Sequence, residues 1–183
     1  MSRIFFYKKF SFQMIAAVTV TFMFLNALLP LNLSSVETEA IHYPFRLMTS
    51  LENATYNLRE PINIPLYLEN IGNENVTLEY PTAKHFDFVI YDKNFNQIYR
   101  LGENRGFVAI WLPPRNMEPG ETINATLTWY QETGWEVISR VGQPDFEIRY
   151  YWAEPSNYYV IGIFTSATYD INIQTPAMRI TII

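Results

Sequence analysis

The sequence predicts an all-β fold, two antiparallel sheets packed face to face, preceded by a separate apolar segment. Three observations carry this. Beyond residue 42, one segment after another alternates apolar and polar side chains with period two, and none shows a convincing amphipathic-helix pattern. Turn residues separate these segments at short intervals. Aromatics make up 16% of the 183 residues, with 13 Tyr and 13 Phe, and such side chains suit half-buried pleated surfaces.

Residues 1–33 are of a different kind. "MSRIFFYKKFSFQ" is basic and aromatic, and "MIAAVTVTFMFLNALLPLNL", Met14 to Leu33, carries no charge. A positive flank before such a run predicts export with the N-terminus left inside. The run is long enough to span a bilayer as a signal anchor. Asn26, Pro30 and Asn32 interrupt it as they would a shorter signal core, and Thr38 and Ala40 offer small residues for cleavage. Both outcomes stay open. Residues 34–42 read as a polar linker, so the domain is expected over 43–183.

The strands follow in order. "PFRLMTSL" is the first. "INIPLYLEN" sets Ile62, Ile64, Leu66 and Leu68 on one face, and Pro65, lacking an N–H, predicts an edge or a bulge. "NIGNEN" is a loop. "VTLEY" and "FDFVIYD" are framework strands, and "KNFN" then turns the chain into "QIYR". Asp92, Asn94, Asn96 and Glu103 imitate a calcium loop, but Gln97 stands where that loop needs Gly and its flanks read as strands, so a hairpin is expected. "FVAIWLP" is a continuous apolar run. "EPGE" puts Pro119 and Gly120 at the centre of a type II turn. "TINATLTWY" turns Ile123, Ala125, Leu127 and Trp129 inward. "DFEIRYY", "YYVIGIFT" and "MRITII" complete the set.

Composition narrows the chemistry. The net charge is −5, so nucleic acid is not an expected partner. With Arg3, Lys8 and Lys9 set aside, the 10 remaining Lys and Arg face 18 Asp and Glu, a balance of about −8. There is no Cys, which removes disulfides, Cys-ligated zinc and thiol catalysis. His42 and His85 are isolated in sequence. No G-x-S-x-G turn or phosphate-binding loop occurs. No catalytic residue, metal ligand or cofactor is therefore assigned, and no enzyme is expected.

The stretch "PLYLENIGNENVTLEYPTAKHFDFVIYDKNFNQIYR", with "MEPGETINATLTW" after it, resembles the BsuPI family, named for an intracellular proteinase inhibitor. The resemblance covers roughly residues 62–130: an Asn-Gly loop, two alternating strands, a hairpin, and a Pro-Gly-Glu turn into a strand ending at Trp129. A weaker echo is "PSNYYVIGIF", where Ser156-Asn157 replaces the family's Gly. The resemblance implies an immunoglobulin-like antiparallel β-sandwich and proteinase inhibition. Its motifs are framework residues, which speak to fold more than to function. Two features depart from it: the export segment, and the aromatic stretch 131–153.

Candidate functional positions lie off the framework. Asn53, Asn75 and Asn124 head glycosylation sequons, with Asn75 and Asn124 on the outward parity of their strands, while the sequon at Asn32 adjoins the apolar run. Residues 102–121 are expected to form a loop, with Arg105 and Arg115 as candidates for a protease-facing segment or as plain solvated arginines. Trp135 and Trp152 are binding candidates, because surface Trp makes strong interface anchors; the alternative is that they enlarge the core.

The expectation is a non-enzymatic interaction module of the cell surface, held to the membrane by its N-terminal segment or secreted. Its partner would be a cell-surface component or a protease, and the alternative function is proteinase inhibition. Protease added to intact cells should then digest the β domain. Protection until lysis would place the domain inside.

Overall fold

The computed structural model describes residues 35–80, 84–104, 112–139, 146–167 and 170–183. All belong to the unit Ser34–Ile183. The N-terminal signal or anchor segment, the Asn32 sequon and Arg105 lie outside the described residues.

Strands dominate: β1 (Val36–His42), β2 (Phe45–Leu51), β3 (Thr55–Tyr56), β4 (Ile62–Asn70), β5 (Val76–Tyr80), β6 (Phe86–Tyr91) and β7 (Gln97–Arg100) come first. One helical turn, α1 (Leu101–Asn104), follows. Then come β8 (Leu112–Met117), β9 (Thr122–Trp129), β10 (Glu132–Ser139), β11 (Phe146–Trp152), β12 (Ser156–Ser166), β13 (Ile171–Gln174) and β14 (Met178–Ile182). One sheet has the order β1-β2-β4-β9. The other runs β3-β14-β12-β6-β7, with β13 also on β12. The pairs β5-β8 and β10-β11 stand as two-stranded ladders. All pairing is antiparallel except β3 with β14.

The alternation seen in sequence becomes the inside and outside of these sheets. Ile62, Ile64, Leu66 and Leu68 of β4 are fully buried and meet Phe45, Phe88, Phe164 and Trp129 in one core. Trp129 is buried completely, with Tyr158 edge-on at 5.7 Å between ring centres. Ala125 and Leu127 share its inward face at partial burial. The two sheets come so close at Gly162 of β12 that a Cβ there would lie 2.3 Å from Leu66 Cδ2. Any other residue type there requires the Leu66 side chain to shift. The turn after Glu118 also forms as expected: Gly120 has φ +78°, and the Glu121 N–H donates to the Glu118 carbonyl at 3.0 Å.

Three expectations need correction. Residues 36–42 are a strand, not a linker: Val36 to His42 pair with Leu51 to Phe45, and Val36 and Ala40 pack against the core. Glu37 and Glu39 made the segment look polar, yet they sit on its exposed face. Pro65 is no simple edge residue, because β4 lies between β2 and β9; the β2 ladder stops at Leu66, so only the start of β4 is open on that side. The supposed loop 102–121 contains α1 and β8. Its prolines, Pro113 and Pro114, are accommodated because β8 pairs with β5 alone among the described strands.

A buried carboxylate ties α1 to the sheet. Asp87 Oδ2 meets Lys84 Nζ at 2.7 Å and Arg100 Nε at 3.0 Å, while Oδ1 accepts the Gly102 N–H at 3.1 Å. The segment following β7 is thereby held where the sequence suggested only a loop.

The β9 register can be tested directly. Trp129→Ala should cost about 3–5 kcal/mol in chemical denaturation, the range for large aromatic truncations in a core. Asn124→Gln, on the exposed face of the same strand, should change little.

Candidate binding surface

The β10-β11 hairpin is the part of the structure that the core does not absorb. Directly paired residues of an antiparallel ladder share a face. Trp135 pairs with Tyr150 and Val137 with Ile148, so these four point one way. They are 50%, 47%, 52% and 42% exposed, respectively. Glu136 and Arg149 occupy the opposite face, joined at 3.2 Å. Tyr151 hydrogen-bonds to Glu136 there, and this bond raises its pKa. The result is a ribbon with one apolar, largely aromatic face turned to solvent.

Its base is fixed. The Trp129 indole N–H donates to the Glu132 carbonyl at 2.8 Å, so the core tryptophan also holds the first residue of β10. Gln131 is fully buried with φ 63°. Its amide nitrogen donates to the carbonyls of Asn57 at 2.8 Å and Glu60 at 2.9 Å, and its oxygen accepts the Arg59 N–H at 2.7 Å. The Ala153 N–H closes the far end onto the Gln131 carbonyl at 2.7 Å. Arg59 then lies over the Trp152 ring, 4.2 Å from its centre, a cation–π contact. An open groove of about 910 Å³ runs beside this base, bordered by Arg59, Asp92, Lys93, Tyr151, Trp152 and Glu154.

The sequence candidates divide. Trp135 is at the surface. Trp152 is half-buried under Arg59, an anchor of the hairpin more than a free platform. Arg115 is held on β8, half-exposed, with its guanidinium 2.9 Å from Glu121, whose carboxyl it holds below the usual range. It does not project from a loop. Asn75 and Asn124 are exposed, whereas Asn53 is half-buried and donates its backbone N–H to the Tyr56 hydroxyl at 3.2 Å. Asp92 acts as the hairpin residue expected of it, accepting the N–H groups of Asn94 and Asn96 at 2.8 Å each. Among the described residues no group of three or more His, Asp or Glu side chains converges as a metal site requires.

Sequence reading missed a second hollow, of about 320 Å³, between β5, β6 and β8. The Tyr80 and His85 rings pack there, tilted, with centres 4.4 Å apart, and among the described residues the buried Tyr80 hydroxyl and His85 Nδ1 find no hydrogen-bond partner. Burial pushes the Tyr80 hydroxyl up to about 12. Burial also lowers the His85 pKa, and the Arg115 charge acts in the same direction. No periodicity rule could have paired these two residues, because one ends β5 and the other precedes β6.

With this geometry in hand, the comparisons place the chain. It is an all-β protein of the β-sandwich kind whose distinctive surface is a projecting ribbon. The BsuPI family model, described as intracellular proteinase inhibitor, matches residues 49–169, well over half of the chain and the whole β10-β11 hairpin. The chain belongs to that family. No curated protein matches it. Among solved structures it is similar to a β-glucosidase from Listeria innocua in complex with laminaribiose, at 14% identity and TM-score 0.38, over 75% of this chain and 16% of that one. It is similar also to the β-glucosidase EmGH1 from Erythrobacter marinus, at 13% identity and TM-score 0.36, over 81% of this chain and 16% of that one. The chain thus spans about a sixth of those enzymes' length, and likeness at this level carries no argument about activity.

The His85 environment sets a pH dependence. Its folded pKa lies below the ordinary value of 6.5, so the unfolded chain binds the extra proton first as pH falls. This contribution to stability is complete above about pH 6.5, declines below it, and levels off under the folded pKa. In melting curves from about pH 7.5 to about pH 5.5, His85→Phe should lose less stability on acidification than the parent chain.

Proposed function

We propose that this chain is a non-enzymatic binding module acting outside the cytoplasmic membrane, with residues 1–33 as a retained anchor or a cleaved signal. The observation that carries the binding reading is the exposed apolar face of the β10-β11 ribbon. Trp135, Val137, Ile148 and Tyr150 stay largely in solvent while the ribbon's base is locked. Exposed aromatics on a preorganised support bring large contact area at low entropy cost. The partner is a protein surface with an apolar patch of similar size.

The sandwich is read as immunoglobulin-like. One local feature supports this: the Tyr158 hydroxyl donates to the Glu154 carbonyl at 2.7 Å and accepts the Glu154 N–H at 3.1 Å. A tyrosine bonded back to the backbone a few residues upstream is a recurring device of that fold. Asn75 and Asn124 are the sequons best placed to carry glycan, since both are exposed.

A second reading, proteinase inhibition, is favoured by the family to which the chain belongs. On this reading the partner is a protease, and the ribbon, not Arg115, is the contact. One experiment addresses both readings. The purified chain is tested for inhibition against a protease panel and for capture of cell-envelope proteins, beside Trp135→Ala. The expected result is binding weakened by tenfold or more, the effect of truncating an interface anchor worth about 2 kcal/mol, with the melting temperature unchanged. A fall of several degrees in melting temperature would return Trp135 to the core and overturn the reading. Inhibition of one protease class accompanied by the same loss would select the second reading.

A further inference from the structure

The ribbon has a second unusual property, separate from its apolar face: β11 is an open edge. Among the described residues β11 pairs only with β10. From Gly134 to Ile138 of β10 the residues alternate between half-buried and exposed, whereas every residue from 147 to 151 is exposed. Among the described residues no strand pairs with the outer margin of β11, and Glu147 to Tyr151 are exposed on both of its faces. Strand edges of this kind are normally blunted by Pro, Lys or bulges, because unpaired N–H and C=O groups template another strand. "FEIRYYW" contains no Pro, Gly or Lys, and its ladder with β10 is regular from Gly134 to Ser139.

We propose that β11 pairs antiparallel with β11 of a second copy of this chain, joining the two ribbons into one four-stranded sheet across a twofold axis at Ile148. Charge complementarity selects this pairing. An antiparallel self-pairing centred on Ile148 puts Glu147 opposite Arg149 of the second copy, and Arg149 opposite Glu147. Opposite charges directly across a ladder stabilise it, and like charges destabilise it. Centring one residue earlier or later puts Glu147 on Glu147 or Arg149 on Arg149. The Ile148 register also brings the apolar faces of both ribbons to the same side, because paired residues share a face. Arg149, already 3.2 Å from Glu136 on β10, would then lie between two carboxylates. A twofold pairing closes on itself and leaves no further edge at β11. This goes beyond the binding reading and does not depend on it: the ribbon could dimerise without any foreign partner.

The absence of Cys makes the full-length chain its own background for a test. Ile148→Cys places one thiol opposite its own copy, within disulfide reach across a ladder. In membranes or lysate from cells making the full chain, copper–phenanthroline oxidation should give a dimer on non-reducing gels. Val137→Cys, no less exposed but one strand further from the twofold axis, should stay monomeric. Glu147→Cys and Arg149→Cys should each fail alone and cross-link when co-expressed. Added to Ile148→Cys, Arg149→Glu should lower the dimer yield about tenfold, since both symmetric pairs turn from opposite to like charge, and adding Glu147→Arg should restore it. As a check free of cysteine, the wild-type chain should sediment at twice the mass of Arg149→Glu, which should run as a monomer. The proposal is overturned by a monomeric wild type, by equal cross-linking at Val137→Cys, or by Ile148→Cys adducts only to another protein, which would assign the edge to a foreign strand.

Discussion

The buried amide of Gln131 is the contact on which the rest of the candidate surface depends. It sits where the chain leaves the core strand β9 and enters the projecting ribbon, and it adopts a left-handed φ that a non-glycine side chain rarely takes. Holding that conformation costs on the order of 1–3 kcal/mol unless the surroundings fix it. They do: three backbone groups of the 57–60 turn use up the side-chain amide, and the Gln131 carbonyl accepts the chain again at Ala153. A buried polar group with all its bonds made is far more specific than an apolar one, because any displacement leaves several partners unsatisfied at about 1–3 kcal/mol each. The direction in which β10 leaves the sandwich therefore has little freedom.

That constraint explains how a two-stranded ribbon with an exposed apolar face can be part of a folded protein at all. An isolated hairpin is marginal in water. Here its two base strands are stitched to the core by the Trp129 indole and to the 57–60 turn by Gln131, and Arg59 covers Trp152. The base thus carries its own stabilisation. The far part, with Trp135, Val137, Ile148 and Tyr150, is left free to be apolar without being buried. Segregation along one short element, anchoring aromatics at the base and exposed aromatics beyond it, is the arrangement expected of a surface built to meet something else.

Much of the framework was legible in the sequence, because period-two alternation reports burial directly. β4, β5 and the inward face of β9 follow from it, and so do the turn at Gly120 and the hairpin at Asp92. The misreadings have physical causes. Glu37 and Glu39 occupy the exposed face of β1, so a strand looked like a linker. Pro113 and Pro114 hid β8, because prolines are compatible with a strand that pairs on one side only. Trp135 and Trp152 were separable only in space: they lie on the same face of the ribbon by register, yet Arg59, remote in sequence, reaches one and not the other. The Tyr80–His85 contact and the Asp87 cluster share that limit, since each joins residues of different elements that the local pattern does not bring together.

Family membership and geometry constrain function at different levels. The family match names proteinase inhibition and spans residues 49–169, framework strands and ribbon alike, without saying which surface would act. A basic residue on a projecting loop would have been the simplest link between the two. Arg115 does not provide it: its guanidinium is engaged by Glu121, and β8 carries it along a sheet margin. If a protease is the partner, the ribbon offers a larger preorganised contact than that ion-paired arginine. The ribbon is preorganised, apolar and distinct from the core, and it lies within the matched span. An interaction through it would rely on shape and apolar area, not on a substrate-like side chain, so selectivity would come from the partner's surface outside its catalytic centre. Binding of that kind is equally open to proteins that are not proteases, which is why the broader module reading and the inhibitor reading meet on the same residues.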